Sequence, residues 1–82
     1  MFSVEFTKQA LQQLEKLDNQ TQDRIIAVIQ RATIRPFKHV KRLVGSKYFR
    51  LRAGDYRVIV DIQNDNLLIY VIEIGHRKNI YT

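Results

Sequence analysis

Residues 47–62, KYFRLRAGDYRVIVDI, carry the clearest structural signal in the chain. Apolar and polar side chains alternate from position 47, and the apolar set is Phe49, Leu51 and Ala53. Gly54 and Asp55 interrupt the alternation, and a stretch rich in β-branched residues follows. Strand side chains alternate between two faces, and a Gly-Asp pair favours a tight turn. The stretch therefore predicts a β-hairpin whose second strand covers residues 56–62.

The hairpin determines which side chains share a face. If Phe49 and Leu51 point to the core, Arg50 and Arg52 point away from it. Arg57 comes just after the turn and so close to Arg52. A bulge would shift the register, and the face of Arg57 is left open by the sequence.

Upstream of the hairpin, the periodicity predicts a strand followed by two helices. Residues 2–6 alternate as a short strand, and Thr7 is placed to cap a helix running to about residue 17. Asn19 followed by Gln22 resembles a capping box that begins a second helix. Pro36 predicts the end of that helix near residue 34. The expected buried positions are Ala10, Leu11, Leu14, Leu17, Ile25, Ile26, Val28, Ile29 and Ala32. The short break predicts that the helices fold back as an antiparallel hairpin.

Downstream, residues 67–74 are apolar on both faces, which predicts an interior strand. Residues 37–46 are expected to be an irregular basic connection, with Phe37 and Tyr70 in the core. The resulting order is β-α-α-β-β-β. We expect one α+β domain over residues 1–82, an antiparallel sheet with the N-terminal helical hairpin packed on one face.

Positive charge is concentrated in one segment of the chain. The net charge is +6, yet residues 1–34 carry four basic and four acidic residues. Residues 35–57 carry one acid, Asp55, and eight basic residues: Arg35, Lys38, Lys41, Arg42, Lys47, Arg50, Arg52 and Arg57. A local excess of this kind indicates a surface that binds a polyanion, with RNA as the best candidate.

Composition narrows the class of protein. The chain has no cysteine, which excludes a disulfide framework and a thiolate metal site. It has no apolar run of the ~20 residues that span a bilayer and no signal-peptide pattern at its start. We therefore expect a soluble, cytoplasmic protein without membrane partners, and no metal or cofactor.

Two motifs carry a resemblance to a known family. RLR-x-GDYR occupies residues 50–57 and GHRK-x-x-Y occupies residues 75–81. Because the two motifs stand in this order after a strand and a helical hairpin, the chain closely resembles the RelE/ParE superfamily of toxins over essentially its whole length. The resemblance implies a toxin of a type II toxin–antitoxin system, bound by a RelB-like antitoxin in a hetero-oligomer. Its RelE branch cleaves mRNA in the ribosomal A site, and its ParE branch inhibits DNA gyrase.

The resemblance also implies residue roles. The RelE-branch catalytic positions fall on Arg57, Arg77, Tyr81, Arg52 and Arg50. Further RNA contacts are predicted at Lys47, Lys41, Arg42, Lys38, Lys78 and His76. Tyr81 and His76 are both candidate proton-transfer groups, and Tyr81 is equally interpretable as an aromatic that pins the C-terminus.

The residue types fit one reaction. RNA is cut when its 2′-hydroxyl attacks the adjacent phosphate, and guanidinium groups stabilise the charge that develops. No acidic cluster suited to two-metal hydrolysis is present. We therefore expect a metal-independent endoribonuclease that arrests translation and growth. The alternatives are a gyrase-directed ParE-type toxin and a catalytically degenerate RNA-binding member of the family.

Overall fold

The computed structural model describes residues 1–76, which form a mixed five-stranded sheet with two helices. In chain order the elements are β1 (Ser3–Phe6), α1 (Lys8–Glu15), α2 (Asn19–Ala32), a 3₁₀ turn (Pro36–Lys38), β2 (Lys41–Arg42), β3 (Phe49–Ala53), β4 (Tyr56–Gln63) and β5 (Leu68–His76). The strands lie in the order β1-β5-β4-β3-β2. The predicted α+β architecture and hairpin are confirmed.

The sheet differs in two ways from the antiparallel sheet expected. β1 pairs with β5 in parallel, while the other neighbouring strands pair antiparallel. The helical hairpin carries the chain from β1 at one edge to β2 and β3 at the other, and the two β-hairpins then bring β5 back beside β1. The short β2 also extends the sheet inside the segment expected to be irregular.

The N-cap of α1 is the predicted residue, and the N-cap of α2 is not. The hydroxyl oxygen of Thr7 accepts a hydrogen bond from the backbone N–H of Ala10 at 3.0 Å, so its predicted cap is confirmed. Asp18 is the N-cap of α2, so the predicted capping box at Asn19 is wrong. Gln22 instead donates its side-chain amide to the carbonyl of Leu17 at 2.8 Å.

The core lies between the helical pair and one sheet face. Its members are Ala10, Leu14, Ile25, Ile29, Ala32, Leu51, Ala53, Val58, Val60, Ile69, Val71 and Ile74. Burying an isoleucine such as Ile25 contributes roughly 1.5–3 kcal/mol. Two predicted core positions on the helices, Leu11 and Ile26, are instead exposed. Phe37 is 55% exposed, and its expected place in the core is wrong.

A β-bulge in β5 explains why that strand looks apolar on both faces. Ile59 pairs with Glu73 and Val60 with Val71, so Ile72 has no partner on β4. The extra residue reverses the alternation: Val71 faces the core before it, and Ile74 after it. β5 is nevertheless interior, as predicted.

Neither helix in residues 1–76 has the length and apolar character needed to cross a membrane.

Candidate functional site

Three predicted arginines lie on the sheet face that the helices leave open. Leu51 and Ala53 are buried under the helices, so Arg50 and Arg52 project from the opposite face. The β3–β4 register is regular, and Arg52 is the direct partner of Arg57. Because paired residues project to the same side, Arg57 joins the other two arginines.

A fourth cation reaches this face from the sheet edge. β2 pairs antiparallel with β3, with Lys41 opposite Arg50 and Arg42 opposite Phe49. The arrangement encloses a small cavity of about 120 Å³. Its lining residues are His39, Lys41, Arg50, Arg52 and Arg57. We call this cavity and its lining the basic cleft.

Other basic residues of the same sequence segment lie elsewhere. The Arg42 guanidinium sits 5.7 Å from the centre of the Phe49 ring, on the helix side of the sheet. The Lys47 ammonium is 5.5 Å from the Tyr48 ring centre, and Lys38 is exposed in the 3₁₀ turn. None of these three lines the basic cleft, although all were predicted to contact RNA.

His76 also lies apart from the basic cleft. The bulge places Gly75 opposite Arg57 and His76 opposite Tyr56. Tyr56 packs against the core, and its ring meets the His76 ring edge-on with centroids 5.4 Å apart. His76 therefore shares the helix side of the sheet with Tyr56. The predicted residues Arg77, Lys78 and Tyr81 lie outside the described residues, and their roles stay predictions.

Sequence reasoning missed His39. The 3₁₀ turn places it, because Pro36 is buried and its carbonyl accepts a hydrogen bond from the His39 backbone N–H at 3.0 Å. Val40 then packs against the core, which leaves the side chains on either side of it facing outward. The available signal was a histidine two residues before a lysine in a basic run.

The basic cleft has the chemistry of an anion site. Its lysine and three arginines offer N–H donors and positive charge, and arginine forks match phosphate oxygens. The acids Glu73 and Asp61 also lie on this face, opposite Ile59 and Tyr70, and neither lines the cleft. Among residues 1–76, no group of three or more metal-ligating side chains comes together.

The fold and this cationic face define a small α+β domain with an anion-binding surface, and comparisons with known proteins identify its family. A family model for the ParE toxin of type II toxin–antitoxin systems, parDE, matches residues 4–81. The chain therefore belongs to this toxin family, within the RelE/ParE superfamily. An Escherichia coli protein described as a RelE-like toxin is 26% identical over 80 residues, covering 94% of this chain and 84% of the relative.

Solved structures share the fold. RelBE2, a toxin–antitoxin complex from Mycobacterium tuberculosis, matches with a TM-score of 0.82 and 23% identity, over 93% of this chain and 98% of that one. An archaeal RelE–RelB complex from Pyrococcus horikoshii OT3 matches with a TM-score of 0.80 and 24% identity, over 96% and 98%. At these identities the likeness supports the fold. The family match and the shared fold together show that this chain is a toxin of a type II toxin–antitoxin system.

Proposed function

We propose that this toxin is a metal-independent endoribonuclease that cleaves mRNA in the ribosomal A site and so arrests translation in the cytoplasm. The observation that supports the proposal best is the basic cleft, where Arg52 and Arg57 lie directly opposite each other. Two adjacent guanidinium groups present N–H forks whose geometry matches the oxygens of a phosphodiester.

The roles of the cleft residues follow from the reaction. The 2′-oxygen attacks the neighbouring phosphorus, the bond to the 5′-oxygen breaks, and a dianionic phosphorane lies between. Arg57 and Arg52 hold the non-bridging oxygens as negative charge builds on them. Arg50 and Lys41 orient the adjacent phosphates. In the family pattern Arg77 and Tyr81 complete this set, and both remain part of the proposal.

Cleavage in programmed ribosomes tests the proposal. We expect the wild-type protein to cut mRNA at the A-site codon, and Arg57→Ala to cut about 10²–10³-fold more slowly, as for the loss of one transition-state donor. Lys8→Ala is the matched control, since Lys8 is an exposed cation on α1, which packs on the helix side of the sheet. Intact mRNA with the wild-type protein, or equal rates for Arg57→Ala and Lys8→Ala, contradicts the proposal.

The second candidate is a ParE-type inhibitor of DNA gyrase. The observation favouring it is that the matching family model is that of the ParE toxin. Such a toxin acts by binding a protein and requires no RNA chemistry. Loss of DNA supercoiling by gyrase, with mRNA left intact in the ribosome assay, selects this function over the first.

We propose further that the partner is a RelB-like antitoxin that forms a hetero-oligomer with the toxin. Several structural neighbours are complexes with RelB antitoxins. A net charge of +6 favours an acidic partner segment, which folds as it binds. Expression of a small gene adjacent to this one should neutralise its toxicity. If the toxin stays toxic when each neighbouring small gene is expressed with it, the proposed partnership is contradicted.

An apolar groove gives this partner a surface to occupy. Its cavity measures about 290 Å³, beside β1, whose only strand partner among residues 1–76 is β5. It is lined by Val4, Phe6, Leu14, Ile26, Ile29 and Gln30. Ile26 is 36% exposed there. Ile26→Glu should weaken antitoxin binding while leaving the unfolding midpoint close to that of wild type, and unchanged affinity places the antitoxin elsewhere.

A further inference from the structure

We propose that His39 is the general base of the cleavage reaction, accepting the proton of the attacking 2′-hydroxyl. The inference rests on the proposed ribonuclease function. It starts from the lining of the basic cleft, where His39 accompanies Lys41, Arg50, Arg52 and Arg57. No RLR or GHRK motif position corresponds to His39.

A group that accepts a proton needs a lone pair, and only one type of side chain in the cleft carries one. Lysine ammonium and arginine guanidinium groups donate hydrogen bonds and have no acceptor atom. A neutral imidazole carries one acceptor nitrogen, and imidazole exchanges its proton nearest to neutral pH. Of the five side chains that line the cleft, His39 is therefore the one with an acceptor atom for the proton.

The backbone places this imidazole beside the phosphate-binding arginines. The antiparallel register that sets Lys41 opposite Arg50 brings the chain just before Lys41 alongside Arg52. The hydrogen bond from the His39 backbone to the Pro36 carbonyl anchors that chain segment to a buried proline. The imidazole itself is exposed, so substrate has access to it.

The proposed step balances in atoms and protons. The His39 nitrogen takes the proton of the 2′-hydroxyl as the 2′-oxygen bonds to phosphorus. The bond from phosphorus to the 5′-oxygen breaks, and the 5′-oxygen takes a proton from water. The hydroxide that remains takes the proton back from the imidazolium. The products are a 2′,3′-cyclic phosphate and a 5′-hydroxyl, and the enzyme is unchanged.

Three other described groups are candidates for the same proton. Glu73 on β5 lies on the same face, in line with Ile59 and Arg50, two strands or about 10 Å from Arg50. Asp61 on β4 also lies on this face, two residues after Ile59, and neither carboxylate lines the cleft. His76 lies with Tyr56 on the helix side. The charged groups that face His39 in the cleft are thus Lys41, Arg50, Arg52 and Arg57.

The test is single-turnover mRNA cleavage in programmed ribosomes between pH 5.5 and 8.5. His39→Ala should cleave about 10²–10⁴-fold more slowly, the usual loss for a general base. Free imidazole in the buffer should restore part of that rate in His39→Ala, where the side chain leaves space, and should restore none in His39→Gln. The rise of the wild-type rate with pH should disappear in both variants. Because His39 is exposed, both should unfold at the wild-type midpoint.

Each outcome decides a different point. Wild-type rates in His39→Ala overturn the role of His39 and leave the ribonuclease function standing. A slower His39→Ala with an unchanged pH profile and no imidazole rescue makes His39 a binding residue and overturns the general-base proposal. A rate loss in Glu73→Gln or Asp61→Asn that reproduces the lost pH dependence assigns the base to that carboxylate. If the wild-type protein leaves ribosome-bound mRNA intact, both the proposed ribonuclease function and the proposed role of His39 are wrong.

Discussion

Arg52 and Arg57 are direct partners across the β3–β4 ladder, so two guanidinium groups stand side by side on the open face of the sheet. Together they offer several N–H donors to the oxygens of one phosphate. An anion bound between them in the native state should therefore stabilise this hairpin against unfolding.

Arg52→Gln should remove one donor fork of the proposed anion site while keeping most of the side-chain stem. In low-salt urea titrations, added inorganic phosphate should raise the free energy of unfolding of wild type more than that of the variant, because binding to the native state shifts unfolding by mass action. Lys8→Gln is the control for a change in net charge alone. Equal stabilisation of wild type and Arg52→Gln by phosphate contradicts the anion site.

Lys41 and Arg42 are adjacent in sequence but project to opposite faces, so their variants should differ. The logarithm of RNA affinity falls linearly with the logarithm of salt concentration, with a slope near −0.7 per contact for single strands. Lys41→Ala should make that slope about 0.7 shallower, measured by fluorescence anisotropy on a short RNA. Arg42→Ala should leave the slope unchanged, and equal effects of the two substitutions contradict the assignment of faces.

Arg42→Ala should instead affect the stability of the sheet edge. Its guanidinium lies 5.7 Å from the Phe49 ring centre, and a cation–π contact at an exposed site contributes about 0.5–1 kcal/mol. We expect a loss of that size in the free energy of unfolding. The double variant Arg42→Ala with Phe49→Leu should lose less than the sum of the single losses, and strict additivity contradicts the contact.

The hairpin was predictable because its signals are local. Alternation, the Gly54-Asp55 turn and the β-branched strand all lie within 16 residues, and together they indicated which side Arg50 and Arg52 face. The face of Arg57 needed the register itself. β5 was harder to interpret, because the bulge at Ile72 depends on pairing with β4 and produces the same apolar pattern as a strand buried on both faces.

The division of the basic segment into two faces could not be predicted from composition. Lys41 and Arg42 look equivalent until β2 pairs with β3, and a two-residue strand has too short a pattern to predict. The same pairing brings His39 to the cleft. Charge density predicted an anion-binding surface, and tertiary structure was needed to select which of its cations share one cavity.

Gly54 and Gly45 should respond similarly to substitution by alanine. Both have positive φ, +62° and +73°, where an L-residue is strained by roughly 1–2 kcal/mol. A Cβ on Gly54 would lie 2.8 Å from Nη1 of Arg24, which is the far end of an exposed, flexible side chain and can move aside, and Gly45 has open space around it. We expect Gly54→Ala and Gly45→Ala to lower the free energy of unfolding by similar amounts. A much larger loss in Gly54→Ala that Arg24→Ala cancels would instead show that Arg24 cannot move aside.

Gln13→Ala should lower the free energy of unfolding more than Gln12→Ala, because Gln13 accepts a backbone hydrogen bond just beyond the β5 bulge. Its side-chain oxygen accepts a hydrogen bond from the backbone N–H of Ile74 at 2.7 Å, past the point where β1 stops pairing with β5. Gln13→Ala leaves that part-buried donor unpaired and should cost about 1–3 kcal/mol in the free energy of unfolding. Gln12 is exposed, and Gln12→Ala should change stability by no more than about 0.5 kcal/mol.

A conservative variant of Gln13 separates this hydrogen bond from general packing. Gln13→Glu keeps an acceptor oxygen in place, so it should retain most of the stability that Gln13→Ala loses. Hydrogen exchange supplies a local readout, since the amide of Ile74 should exchange faster in Gln13→Ala than in Gln13→Glu. Equal exchange of that amide in both variants contradicts the role of the side-chain acceptor.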